Sequence, residues 1–129
     1  MKRILVVDDE PHIIRLLKLA LGRKQYQVDT ALNGQLALQK IHEAHPSVLI
    51  TDIDMPRMSG KDLCQRIEQE IPDRQFLIFV LTSGTELEHR HWTKTFDNLV
   101  FLEKPISIRK LMPCWKHILK AWLRPEAPV

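Results

Sequence analysis

The chain lacks the features that mark several classes of protein. Only 2 of its 129 residues are cysteine. Cys64 and Cys114 lie far apart in helical patterns without metal-site spacing, so they read as reduced thiols of the core or its boundary, not as a disulfide framework or zinc site. No apolar run approaches the roughly 20 residues of a membrane span. Lys2-Arg3 is followed only by Ile4-Leu5-Val6-Val7 before acidic residues begin, which is too short for a signal peptide. Internal repeats and low-complexity tracts are absent, and no domain boundary is visible. Charge of one sign is not in excess: 19 Lys and Arg against 16 Asp and Glu leave a formal net charge of +3. That balance does not point to direct nucleic-acid binding. Positive residues do gather near the C-terminus (Arg109, Lys110, Lys116, Lys120, Arg124), where a solvated helix face is a simpler reading than an acidic-partner surface. Together these absences predict a cytoplasmic protein that does not engage a membrane.

What is present suits one globular domain with a real core, at 44% hydrophobic and 27% charged residues. Short apolar runs alternate with helical patterns. Arg3-Ile4-Leu5-Val6-Val7 is the first run, and after Pro11 apolar residues fall at Ile13, Leu16, Leu17, Ala20 and Leu21, the series of an amphipathic helix ending near Gly22. A second strand covers Tyr26, Val28 and Thr30 or Ala31. Asn33-Gly34 then opens a helix with Leu36, Ala37, Leu38, Ile41 and Ala44, closed by Pro46. Val48-Leu49-Ile50-Thr51 forms a third strand. Ser59-Gly60 starts a helix with Leu63, Cys64, Ile67 and Ile71 on one side. Phe76 to Leu81 is the most hydrophobic run, as suits a central strand covered on both faces. A polar helix is predicted within 85–98, a fifth strand over Leu99-Val100-Phe101-Leu102, and a last helix after Ser107, interrupted by Pro113. Residues 124–129 form a frayed tail. Five strand-then-helix units require parallel strands joined by right-handed crossovers, with helices on both faces.

The polar residues at the strand ends carry the chemistry. The first strand runs into Asp8, Asp9 and Glu10, and the third into Asp52-Ile53-Asp54. Each has an ordinary alternative, since an acid before Pro11 can cap a helix and an acid at a strand end can cap a turn. If these strands are neighbours, however, up to four carboxylates crowd one crevice and cannot all stay ionised without a counter-cation. A hard divalent ion with oxygen ligands, Mg²⁺, fits that need. Thr82 ends the fourth strand and Lys104 follows the fifth. Alone, they would pass for a helix cap and a surface lysine. Together with the acids they form a set.

In Val6-Val7-Asp8-Asp9-Glu10, Asp52-Ile53-Asp54-Met55-Pro56-Arg57-Met58-Ser59-Gly60, Leu81-Thr82-Ser83 and Lys104-Pro105, the sequence resembles the receiver domains of two-component response regulators. The likeness covers essentially the whole chain. It implies an α/β, flavodoxin-like (βα)5 three-layer sandwich with a parallel sheet of strand order 2-1-3-4-5, a receiver domain over residues 1–123 and a flexible tail over 124–129. By resemblance, Asp52 is the phosphoacceptor for a sensor histidine kinase or histidine phosphotransfer protein. Asp9 binds Mg²⁺ directly and Asp8 mostly through water, with Asp52 and the Asp54 backbone carbonyl completing the protein ligands. Lys104 pairs with Asp52 and then with a phosphoryl oxygen. Thr82 donates its hydroxyl to another, and Phe101 rotates as the switch. The resemblance implies a signalling domain that catalyses its own phosphorylation and dephosphorylation, a monomer or phosphorylation-dependent dimer, with a downstream protein target; a chain of one domain suggests a switch without an attached output domain, and a receiver excised from a longer regulator is the alternative.

Departures fall mostly on the face that usually signals to partners, where Phe96-Asp97-Asn98 stands in place of the family's common Gly-containing turn and Pro113 interrupts the last helix; beside the site, Asp54 adds a carboxylate two residues past the acceptor and Gly84 leaves its neighbourhood open. Two other readings compete. Asp52-Ile53-Asp54 has the Asp-x-Asp form of haloacid-dehalogenase-type phosphatases, though those enzymes carry it on their first strand. A pseudo-receiver that only binds partners is the other.

Overall fold

The computed structural model describes residues 3–23, 26–82 and 91–104. Five strands, β1 (Arg3–Val7), β2 (Gln27–Ala31), β3 (Val48–Asp52), β4 (Leu77–Thr82) and β5 (Leu99–Glu103), pair in parallel in the order β2-β1-β3-β4-β5. Among the described residues the connecting helices are α1 (Pro11–Gly22), α2 (Gly34–Glu43) and α3 (Gly60–Glu70). The strand order and flavodoxin-like class are those the sequence implies, and element ends differ by a residue or so. Of the helix predicted within 85–98, residues 91–93 are helical and 83–90 lie outside the described residues. So do the last helix with Pro113 and Cys114, the basic C-terminal residues and the 124–129 tail.

Alternation along each strand builds two cores. Ile4 and Val6 of β1, Val48 and Ile50 of β3, and Leu77, Phe79 and Leu81 of β4 pack with Leu17 and Leu21 of α1. The intervening Leu5, Val7, Leu49, Ile78 and Val80 face Ala37, Leu38 and Ile41 of α2 and Leu63, Cys64 and Ile67 of α3. Each large side chain so buried contributes roughly 1.5–3 kcal/mol. Because β1, β3 and β4 are covered on both faces, their sequences are continuous apolar runs and not alternating ones. The edge strand β2 is different. There Asp29 pairs with Lys40 at 3.1 Å and Arg3 at 3.6 Å, so charge marks the open edge.

Local signals set the helix starts. Pro11 occupies the first turn of α1, Asn33 accepts the Leu36 N–H at 2.9 Å, and Ser59 accepts the Asp62 N–H at 3.1 Å. Cys64 is fully buried, and burial pushes its thiol up to about 12, so it stays a protonated core residue. From β1 the chain moves outward to β2, then returns to the other side of β1 as β3. Reversal at that point opens a crevice at the carboxyl ends of β1 and β3.

Candidate functional site

Register brings the strand-end residues together. Val7 is opposite Thr51, so Asp8 and Asp52 leave adjacent strands side by side. Asp52 is opposite Leu81, which places Thr82 one step further along β4, and Thr82 is opposite Glu103, which places Lys104 next on the neighbouring chain segment. Parallel neighbours lie about 4.8 Å apart. Four strands therefore deliver their polar ends to one crevice.

Carboxylate oxygens of Asp8, Asp9 and Asp52 lie within 4.8 Å of one another. Asp8 and Asp52 are buried, and Asp9 is exposed at the mouth. Asp8 divides its oxygens: Oδ1 accepts the Glu10 N–H at 2.9 Å, fixing the turn before α1, while Oδ2 stands 3.4 Å from Lys104 Nζ. Asp8 does not cap α1, whose N-cap position is Glu10 without a side-chain cap bond; its Oδ1 holds the turn that leads into the helix. Lys104 also reaches Asp52, Nζ to Oδ1, at 3.3 Å. The sequence anticipated the Asp52 pairing, but the bridge to Asp8 was illegible without the register. Lys104 is anchored at its backbone, where its N–H donates to the Thr82 carbonyl at 2.6 Å.

The electrostatics follow from burial. Asp52 is pushed up to about 6, by burial first and then by the Asp8 charge, against the opposing pull of Lys104. Asp8 is likewise raised, mainly by burial, although the Glu10 N–H and Lys104 favour its anion. Burial would lower the Lys104 ammonium, but Asp52 and Asp8 outweigh it and the group is raised. Lys104 is one cation facing three carboxylates. A small oxygen-seeking cation would fit the remaining negative charge.

Other predicted residues occupy distinct positions. Thr82 is buried at the end of β4. Phe101 is partly buried against the core shared with α2 and α3. Asp54 has an exposed side chain, and its backbone N–H donates to the Asp52 carboxylate. The buried acidic pair is therefore Asp8 with Asp52, not Asp52 with Asp54, and it draws on two strands. That geometry disfavours the Asp-x-Asp phosphatase reading. Gly60 was legible only as a helix start, yet its N–H donates to the Ile53 carbonyl at 2.8 Å, directly beneath the acceptor candidate.

Known proteins share this pattern. Residues 4–115 match the response regulator receiver domain. The alkaline phosphatase synthesis transcriptional regulatory protein PhoP of Bacillus subtilis is 34% identical over 127 residues, covering 92% of this chain and 49% of its own. Transcriptional regulatory protein ResD of the same organism is 33% identical over 118 residues, covering 92% and 48%. This chain spans about half the length of the curated relatives it matches. Among solved structures, chemotaxis protein CheY4 of Vibrio cholerae has a TM-score of 0.82 at 28% identity, over 92% of this chain and 98% of that one. Response regulator protein TrrA of Thermotoga maritima, solved in complex with Mg(2+)-BeF, has a TM-score of 0.75 at 35% identity, over 92% and 99%. On the match across residues 4–115, this chain belongs to the response regulator receiver domain family.

Proposed function

We propose that Asp52 is the phosphoacceptor of this receiver, taking a phosphoryl group from a phosphohistidine on a sensor histidine kinase or a histidine phosphotransfer protein. The observation that carries this reading is the meeting of three carboxylates with the Lys104 ammonium, 3.3 Å from Asp52 Oδ1, at the ends of separate strands. A carboxylate is a competent nucleophile for such a transfer. An Asp52 oxygen attacks phosphorus as the phosphorus–nitrogen bond breaks. The bonding pair stays on the imidazole nitrogen, and the product is an aspartyl phosphate.

Asp8, Asp9 and Asp52 form a hard, all-oxygen donor set suited to Mg²⁺, and the Mg(2+)-BeF complex of TrrA supports that choice. Asp9 would hold the ion directly, Asp8 mostly through water, and the Asp54 backbone carbonyl would complete the protein ligands. When bound, Mg²⁺ supplies positive charge that offsets repulsion between the carboxylate and the incoming phosphoryl group. The Lys104 ammonium offsets the same repulsion, releasing Asp52 to pair with a phosphoryl oxygen. Thr82 donates its hydroxyl to another phosphoryl oxygen, drawing its loop inward. Phe101 then rotates into the vacated space, changing the surface around β4 and β5.

In this reading residues 1–123 are the receiver. The domain catalyses its own phosphorylation and, with water as the second acceptor, its dephosphorylation. It acts in the cytoplasm on a protein target, without direct nucleic-acid binding of its own, as a monomer or phosphorylation-dependent dimer. Incubation with acetyl phosphate and Mg²⁺, followed by intact-mass spectrometry, tests the reading. Wild type should gain one phosphoryl group and Asp52→Asn none; equal gain by both would refute it.

A further inference from the structure

The backbone of Asp52 rests against a residue that has no side chain. Gly60 opens α3 so close to the end of β3 that a Cβ built on it would overlap the Asp52 carbonyl oxygen and stand 2.8 Å from Ile53 Cα. These strand-end atoms are held by their neighbours. Ile53 N–H donates to the Leu81 carbonyl at 2.9 Å, and Thr51 Oγ1 donates to the Asp52 carbonyl at 3.0 Å. Close-packed backbone cannot yield cheaply to an added methyl group.

The far end of the same loop is pinned in a similar way. Gly34, the first residue of α2, leaves no room for a Cβ, which would lie 2.8 Å from both Met58 Cβ and the Met58 carbonyl oxygen. Between the two pins, Arg57 takes a φ of 70°, and Met58 N–H donates to the Pro56 carbonyl at 2.8 Å, closing a three-residue turn. A non-glycine residue holds such a conformation where its surroundings impose it. Neither Gly34 nor Gly60 has a positive φ, so their backbones would accept alanine. The requirement is space alone.

Building on the assignment of Asp52 as acceptor, we propose that Gly60 and Gly34 are positioning residues: they clamp loop 53–59 between the starts of α3 and α2 and thereby set where the Asp52 carboxylate stands. Neither touches the phosphoryl group. Each acts through the acceptor's own backbone or through the loop that follows it. Because a misplacement of about 1 Å can slow a positioned reaction by roughly 100-fold, a displaced acceptor should be visible in the rate.

The test compares wild type, Gly60→Ala, Gly34→Ala and Ser59→Ala. Ser59→Ala removes the α3 cap without adding an atom near Asp52, so it controls for weakened folding alone. Three quantities are read: Tm, the Mg²⁺ dissociation constant without phosphodonor, and the rate of labelling by acetyl phosphate at saturating Mg²⁺. Folded Gly60→Ala should label at least about tenfold more slowly and bind Mg²⁺ more weakly, and Gly34→Ala should move both in the same direction by less. Ser59→Ala should lower Tm and leave the other two within about twofold. A folded Gly60→Ala protein that labels and binds like wild type overturns the inference, as does Ser59→Ala matching it in rate. If Gly60→Ala does not fold, Gly34→Ala decides by the same criteria. Wild type that takes no label overturns the Asp52 assignment and this inference with it, whereas labelled wild type with unchanged glycine variants overturns the clamp alone.

Discussion

Lys104 and Asp52 meet at 3.3 Å, Nζ to Oδ1, although β4 lies between their strands and they are far apart in sequence. The same ammonium stands 3.4 Å from Asp8 Oδ2, so one cation bridges carboxylates from two adjacent strands. A divalent ion held by Asp8, Asp9 and Asp52 would share the Asp8 and Asp52 carboxylates with Lys104.

Burial of Asp52 beside Asp8 makes the acceptor a source of instability in the free protein. Its folded-state value of about 6 lies above the ordinary 3.8, so the folded state holds that proton more tightly than the unfolded state does. Stability therefore falls as pH rises from about 4 to 6, and the whole penalty is present above 6. The gap corresponds to roughly 3 kcal/mol. Asp52→Asn should be more stable than wild type by about 1–3 kcal/mol at pH 7 without Mg²⁺, with the two curves converging near pH 4. Urea unfolding across that range measures it. Equal stability at pH 7 would contradict the buried-charge account.

Lys104→Ala removes the only cation in contact with Asp8 and Asp52 among the described residues. It should destabilise the metal-free fold by about 3 kcal/mol, because two buried carboxylates lose their partner. Mg²⁺ should bind more tightly once the competing ammonium is gone. Labelling by acetyl phosphate should continue at a reduced rate, while amide resonances of residues 99–102 no longer shift on phosphorylation. Shifts matching those of wild type would deny Lys104 its coupling role.

Asn98 supplies the left-handed turn before β5, at a φ of 56°. Asparagine tolerates this region better than other non-glycine residues. Asn98→Ala should therefore lower stability by about 1 kcal/mol, and Asn98→Gly should be close to neutral. Thermal unfolding distinguishes them; an alanine variant as stable as the glycine variant would show that the turn does not need this conformation.

That turn marks the boundary of what the sequence made legible. The strands were readable because apolar runs end abruptly in Asp8, Asp52, Thr82 and Lys104, and parallel order follows from alternation with helices. The Asn98 departure from the family's Gly-containing turn left the approach to β5 ambiguous, since residue type alone does not reveal φ. In the structure Asn98 makes this turn and Arg74 ties it down, its Nη2 donating to the Asp97 carbonyl at 2.5 Å and its Nη1 to the Phe76 carbonyl at 2.7 Å. The dual reach of Lys104 and the space requirement at Gly60 were also hidden. Both depend on register and close approach between segments distant in sequence, which periodicity does not encode.

Carboxylates gathered from separate strands give Asp52 its proposed part as phosphoryl acceptor. Labelling the wild-type protein with acetyl phosphate and Mg²⁺, trapping the acyl phosphate by borohydride reduction to homoserine, and mapping the reduced residue by peptide mass spectrometry, beside a sample containing a chelator, tests this most directly. Label on Asp52, lost when Mg²⁺ is removed, is the expected result. Label on Asp54, Asp9 or any other residue, or undiminished label in the chelated sample, would contradict it.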